Sequence, residues 1–595
     1  MGKILGLAVG AFIVLAALVL GSVWLLVDPN SYKPMIAAAV KDATGRQLLL
    51  QGDIQLSLLP SIALQVGPAS LGNPPGVDAA PGVSFQHAAI RVKLLPLLAG
   101  RFEVGRITIT NARVDDGPYR LDHLNIETGA FISREPMPVT ITFTASRGVP
   151  TEEAKAELTL NVSADLGAKR YHVDALTWQG TLNLAGNPRP VRWDFTTPSL
   201  DLDLAAQTFD APAFDLDLAG AHFRGRLAGR QILDAPALSG TVTLAPLVIR
   251  EYLPRLGLAA PATRDPKALS LVSAAFDFGY AAHRATVDDL KLTLDDTHVT
   301  GSAAEDLGTK AVKFALAVDS LNLDRYLPPA QGTDAPAPAA PRGGASESTP
   351  AAKAAPLEAN GSVTVGAIHL APLDLTAVGI TLAASGGVVH LFPLKAAVDG
   401  GEYSGNIVFD ERDSVPVVTL DEHLTGIEVG RLVSAGAKPV HVSGRGNVTL
   451  KATGHGAAAD ALINTLNGQL DAAVNDGAIE GIDIGYQLQR AGALLRGQAT
   501  QDKDTHRTPF GALKLTAQIV NGVVQTHDLT LDSPVFKVTG EGSINLATQR
   551  IDMALLADRI PLNLTGPVVN PSVRVDLAQK LKDVLKDKLK GLFNR

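Results

Sequence analysis

The chain has 595 residues, no cysteine, 56 glycines, 37 prolines and a formal net charge of −8. Without a thiol there is no disulfide, no Cys-ligated metal or iron–sulfur cluster and no cysteine nucleophile, and such a chain suits either redox compartment. The acidic balance lacks the clustered Lys and Arg that neutralise phosphates, so no nucleic-acid partner is expected, while the length leaves room for several cores or for one repetitive body.

From Ile4 to Val27 the chain runs 24 residues without a charge, enough to cross a hydrocarbon core of about 30 Å as a helix. Ile4, Leu15 and Val27 mark the start, middle and end of the run, and Trp24 sits near its far end, where an amphipathic ring favours the interface. The alternative is a cleaved signal peptide. Because the apolar run continues through Trp24 to Val27 past Gly21 and Ser22 without an A-x-A site, residues 1–29 are read as an uncleaved anchor. Lys3 lies on one side of it and Lys33, Lys41 and Arg46 on the other, so charge leaves the sidedness open.

Residues 30–115 form an amino-terminal module that opens with a short helix. Asn30 or Ser31 can cap it, Pro34 suits its first turn, and Met35, Ile36, Ala39, Val40 and Ala43 share one face. Gly45 then stops it. From Arg46, beginning with Gln47 to Leu58, the texture changes to short alternating runs with polar turns, the period of strands, and it fills a body over residues 116–327. Leu200, Leu202 and Leu204 alternate with Asp201 and Asp203; Phe214, Leu216 and Leu218 alternate with Asp215 and Asp217. Further strands are predicted at Arg106 to Ala112, Ala156 to Val162, Ser239 to Leu244, Asp289 to Leu294 and Lys313 to Val318. One-sided alternation means antiparallel sheet with one dry and one wet face.

Residues 328–356 are almost entirely Ala, Pro, Gly, Ser and Thr, a composition that buries too little apolar surface to order itself and so reads as a linker. Residues 357–575 return to strand texture, at Ser362 to Ile368, His441 to Lys451, Leu513 to Ile519 and Lys537 to Leu546, with short helices at Ala457 to Leu466 and Tyr486 to Leu495. Two echoes suggest a repeated architecture: Asp289 to Gly301 with Asp528 to Gly540, and Arg250 to Pro254 with Asp324 to Pro328. In residues 576–595, Leu581, Leu585, Leu589, Leu592 and Phe593 follow helical spacing among six basic and three acidic residues. This basic amphipathic helix either caps the last sheet edge or meets an anionic membrane surface or a partner.

No catalytic or cofactor motif stands out, and no enzyme or cofactor is expected. Asp201 with Asp203 and Asp215 with Asp217 match the Asp-x-Asp pattern of metal-dependent glycosyltransferases, but each pair sits in a Leu-alternating strand, where solvated carboxylates are the simpler reading. The 13 His residues are scattered without ligand spacing. Gly444-Arg445-Gly446 lacks the context of a dinucleotide loop.

Several motifs together resemble the AsmA family of bacterial envelope proteins. At the amino end these are the anchor, then Tyr32 to Gln47, Gly52-Asp-Ile-Gln-Leu-Ser-Leu-Leu-Pro60, Ala69 to Pro74, Arg91 to Gly100 and Val104 to Ile109. At the other end they are Asp476 to Ile484, Thr508-Pro-Phe510, Leu529 to Pro534, Val538-Thr-Gly-Glu-Gly542 and Asn570-Pro-Ser-Val573. The resemblance implies an inner-membrane anchor with the body in the periplasm and a chorein-like start. It also implies a long curled sheet with an apolar groove, and a role in outer-membrane assembly framed as phospholipid transport. It implies no catalytic residues.

The expected architecture is therefore mainly β: an anchor helix, an elongated, curled, largely antiparallel sheet with an apolar groove, a few short helices and a terminal amphipathic helix. An open curled sheet makes a trough in which an acyl chain avoids about 0.8 kcal/mol per exposed CH₂, needing continuous lining rather than fixed polar residues. Leu200, Leu202, Leu204, Phe214, Leu216 and Leu218 are the expected lining, with an ordinary sandwich core as the alternative. Membrane phospholipids are the expected partners. The rival is a scaffold or regulator of outer-membrane protein assembly that binds envelope proteins through sheet edges; a third reading, a glycan-modifying enzyme, needs the Asp-x-Asp pairs to face a pocket.

Overall fold

The computed structural model describes residues 29–57, 62–72, 82–92, 104–116, 119–148, 152–184, 187–329, 357–371, 373–430, 441–495, 503–568 and 570–575. Residues 1–28 of the expected anchor, residues 330–356 of the expected linker and the expected terminal helix over 576–595 lie outside the described residues. Among the described residues no helix is long and apolar enough to cross a membrane. The chain divides into two compact units, Met1–Pro261 with Leu269–Asp295, and Ala262–Ala268 with Asp296–Arg595.

In the first unit a 3-10 turn, Pro29–Tyr32, leads into the helix Lys33–Thr44. Gly45 ends it at φ 69°, a left-handed backbone that glycine adopts without steric cost, and its N–H bonds Lys41 O at 2.7 Å. Ile36 and Val40 are each 1% exposed, packed among Leu48, Ile54, Leu64, Val66 and Leu71 of short strands and Ala112, Val114 and Leu124 of longer ones. Asn30 ties this entry down by accepting the Ile54 N–H at 2.9 Å. The described part of that stretch, Gln47 to Ser57, holds two strands, Leu48–Leu50 and Ile54–Ser57, separated where the backbones of Gly52 and Gly67 meet too closely for any side chain.

From Val104–Asp116 to Arg284–Leu294 the strands pair antiparallel, each with its sequence neighbour. Several turns use one device, a strand-end carboxylate that accepts the N–H three residues on: Asp165 from Ala168 at 3.1 Å, Asp203 from Ala206 at 2.8 Å and Asp217 from Gly220 at 2.8 Å. Such short acceptors close a turn locally, before any tertiary contact forms.

The second unit contains the antiparallel pair Thr297–Asp306 and Val312–Asn322. Ala359–Leu370 then joins Val312–Asn322 in parallel, an exception to the antiparallel rule that requires a long crossover. The Ala/Pro-rich stretch lies in that connection, so the strands flanking it are hydrogen-bonded neighbours within one unit, and the division between units falls at Asp295 and Asp296. Antiparallel pairing continues from Ala359–Leu370 to Ser572–Val575, with helices at Ala459–Thr465 and Ile484–Leu495. In the second echo, both segments form a short helical turn after a strand, at Ile249–Tyr252 with Leu253–Leu256 and at Leu323–Arg325.

Bulges interrupt the alternation inside many strands. In the first unit they fall at Asn111 (φ 50°), His123 (φ 53°), Ala175 (φ 50°) and Asp289 (φ 49°), and between Ala211 and Phe214. In the second they fall at Ala377 (φ 51°) and Asp476 (φ 49°), between Leu391 and Leu394, and between Thr526 and Leu529. An inserted residue bends the strand and re-aims the side chains beyond it. Apolar side chains accordingly switch parity: Leu121 precedes the bulge in Tyr119–Thr128, and Leu124 and Ile126 lie past it, all against one apolar cluster. Side chains brace these points. Asp528 accepts the Thr516 N–H at 2.8 Å and its hydroxyl at 2.6 Å, bonds that hold its carboxyl below the usual range.

Candidate functional site: an apolar sheet face and its cavity

Period-two alternation puts the expected lining residues on one face, and the bulges decide how far that face runs. Leu200 and Leu202, half-buried in Val191–Asp203, pair with Val173 and Tyr171, and Leu202 also pairs with Phe209. Phe214, Leu216 and Leu218 are half-buried in Thr208–Leu218; Leu216 pairs with Phe195 and Phe223, and Leu218 with Trp193. The Phe195 and Phe214 rings stack with centroids 5.8 Å apart. Leu204 lies one residue beyond its strand, its backbone N–H bonded to Lys169 O at 3.0 Å.

Glycines shape this face, and alternation alone does not point to them. Trp193 is paired with Gly180, Phe214 with Gly225, Phe209 with Gly229 and Phe278 with Gly240. Each of these rings occupies the space that a Cβ on its glycine would need. In the second unit Phe314 and Gly361, and Phe510 and Gly477, repeat the arrangement. A ring lying over its neighbour's bare backbone covers the sheet with little height, so the space above it is left open. The signal in the sequence is a glycine inside an alternating run, which marks a close approach.

An apolar space lies in the second unit, a partly enclosed cavity of ≈ 350 Å³, inside the rough 300–1,000 Å³ range of small-molecule sites. Leu470, Leu513, Leu529, Leu531, Ile544, Met553, Leu564 and Val573 border it, and among its lining only Thr526 and Ser543 bring polar side chains. Eight consecutive strands, from His441–His455 to Ser572–Val575, contribute to it. Its wall is therefore concave within this unit. Ile482 and Ile484, at the start of the helix Ile484–Leu495, close part of it. The Thr508 hydroxyl holds that helix start, accepting the Ile484 N–H at 2.8 Å and donating to Ile482 O at 2.7 Å.

The Asp-x-Asp carboxylates pair across strands on the opposite, polar face. Arg170 Nε lies 2.8 Å from Asp203 and Arg224 Nε 2.7 Å from Asp215. His172 Nδ1 lies 2.6 Å from Asp201, a bond that raises its pKa. The carboxyl of Asp203 is lowered by the Ala206 N–H and then by Arg170. Asp201 and Asp203 border an open depression of ≈ 470 Å³ together with Arg134 and Arg170. Among the described residues no group of three or more His, Asp and Glu residues is placed to hold a metal ion.

The chain is β-rich, with rings laid on glycines in each unit and a cavity with an aliphatic lining in the second. It belongs to the AsmA family, whose sequence pattern matches residues 1–126 and 140–529. The chain is also similar to protein AsmA of Escherichia coli (strain K12), 22% identical over 91% of this chain and 85% of that protein.

Proposed function

We propose that the protein is a non-enzymatic, inner-membrane-anchored AsmA-family carrier whose periplasmic body supports outer-membrane assembly by holding phospholipid acyl chains along its apolar sheet face. Family membership suggests the envelope role. The observation that carries the mechanism is the ≈ 350 Å³ cavity with its aliphatic lining. An acyl chain laid there leaves water at a gain of about 0.8 kcal/mol per CH₂ while its headgroup stays at the open side. The rival scaffold reading works through free edge strands; of the described strands, Ile54–Ser57 and Ser572–Val575, each at an end of the pairing order, have four residues each. Short edges give little ladder to a partner.

The test is lipid mass spectrometry on the body from Asn30 to Arg595, purified from the periplasm without detergent. Two paired variants accompany it, Leu202→Asp with Leu216→Asp, and Leu513→Asp with Leu529→Asp. Copurifying phospholipid that a pair removes supports the groove and locates it. A folded wild-type body without lipid overturns the carrier reading.

A further inference from the structure

One carboxylate stands in the apolar face of the second unit. In Val417–Glu428 the alternation Val418, Leu420, Glu422, Leu424 puts Glu422 where an aliphatic residue is due. The cross-strand row through it reads Leu316, Val363, Ile380 and Leu394, then Gly405 and Glu422, then Leu450 and Leu470. Its sequence neighbours Asp421 and His423 turn to the other face and meet each other there, His423 Nε2 lying 3.0 Å from Asp421 Oδ1. Gly405 makes the room: a Cβ there would overlap the Glu422 carboxylate, which folds down over the bare backbone. Tyr403, packed in the same apolar cluster as Leu424, donates its hydroxyl to Glu422 Oε2 at 2.6 Å. The other oxygen, Oε1, is shielded from solvent and has no hydrogen-bond partner among the described residues.

A shielded polar atom without a partner is costly, and this cost sits in the lining of the proposed trough. We propose that Glu422, held by Tyr403, is a polar station that selects acyl chains bearing a hydroxyl part-way along their length, its half-buried carboxyl turning to bring Oε1 to that hydroxyl. The inference rests on the carrier reading. Position and chemistry argue for a hydroxyl rather than a charged headgroup. The carboxylate lies against the sheet floor, where a chain and not its headgroup runs, and stripping an ammonium of water there costs far more than stripping a hydroxyl. Burial also pushes the Glu422 carboxyl up, toward the neutral form, against the weaker lowering by Tyr403. In either form the carboxyl accepts from an alcohol.

The test uses the full chain in detergent, photolabelled with a diazirine analogue of stearic acid and competed with stearate or 12-hydroxystearate. Labelling is read in peptides covering Gly401–Asp410 and Val417–Glu428. In the wild-type protein 12-hydroxystearate should protect at roughly tenfold lower concentration than stearate, the scale set by one hydrogen bond to a shielded polar group. Tyr403→Phe should keep that preference, since the carboxyl remains, and Glu422→Leu should abolish it while still being labelled. Equal protection by both competitors in the wild type overturns the station and leaves the carrier reading standing. No specific labelling of the chain by the probe overturns both.

Discussion

The Phe214 ring lies over Gly225 on the adjacent strand, with a ring carbon 2.9 Å from where a Cβ of residue 225 would sit. The two residues are directly paired, so neither can move aside without breaking the ladder between Thr208–Leu218 and Ala221–Arg230. Gly225→Val should therefore destabilise the first unit by about 1–3 kcal/mol, the usual cost of overpacking, measured by urea unfolding. The Thr241 carbonyl oxygen on the other side lies closer still, 1.8 Å from that Cβ position, so adding Phe214→Leu relieves only the ring contact and should restore little of the loss. A Gly225→Val protein as stable as wild type would show that both the ring and the Thr241 backbone give way.

Asp295 offers a second local test. It is 8% exposed and its carboxylate accepts the N–H groups of Leu269, Ser270 and Leu271 at 2.8, 2.8 and 3.1 Å, with the Ser270 hydroxyl at 3.0 Å. Its φ of 51° is left-handed, a conformation Asp and Asn tolerate better than Ala. Asp295→Asn keeps the backbone preference and one acceptor oxygen, so a loss of about 1–2 kcal/mol is expected. Asp295→Ala leaves three N–H groups without their acceptor and adds strain, and should cost about 2–4 kcal/mol in denaturant unfolding.

Strands were legible because alternation is a property of consecutive residues. Lys313 to Val318 lies inside Val312–Asn322, and Tyr486 to Leu495 inside the helix Ile484–Leu495. The bulges were not legible, since an extra residue at Ala175 or Asp476 is defined by the partner strand and not by its own neighbours. The same holds for the rings on glycines, where Phe510 and Gly477 are 33 positions apart in sequence and meet only through register. The strict Asp/Leu alternation drew attention to Leu200 to Leu218. The cavity lies instead among strands such as Arg507–Val520 and Val523–Asp532, whose bulges break the pattern that advertises a lining.

Acid sensitivity follows from Asp319. The His298 backbone N–H, then its imidazole, hold this carboxyl at about 2. A depressed folded pKa contributes stability that is complete above the unfolded value of about 3.9 and is lost as pH falls through the folded one. The thermal midpoint should thus fall between pH ~4 and ~2, and Asp319→Asn, which cannot titrate, should flatten part of that limb. His172 and His369 are raised, chiefly by hydrogen bonds to Asp201 and Asp374. Their contribution is complete below about 6.5 and is lost as pH rises through the folded values, so a His172→Gln protein should lose less stability than wild type on that side. An unchanged acid limb in Asp319→Asn would remove Asp319 from the account.

The helix Ile484–Leu495 closes one side of the cavity, and Thr508, 1% exposed, is the residue on which its first turn hangs. Thr508→Val preserves shape but removes the acceptor of the Ile484 N–H and the donor to Ile482 O, leaving both groups unsatisfied where water does not reach. A loss of about 2–3 kcal/mol is expected from denaturant unfolding. Thr508→Ser keeps the hydroxyl and gives up only a buried methyl, for about 1 kcal/mol. The two variants separate anchoring from packing. If the hydroxyl anchors the helix, amide hydrogen exchange across Ile484–Leu495 should rise at least tenfold in Thr508→Val and little in Thr508→Ser. Equal exchange in the two would mean that Ile484 and Leu488, packed in the apolar cluster with Phe536 and Val573, hold the helix over the cavity without that hydrogen bond.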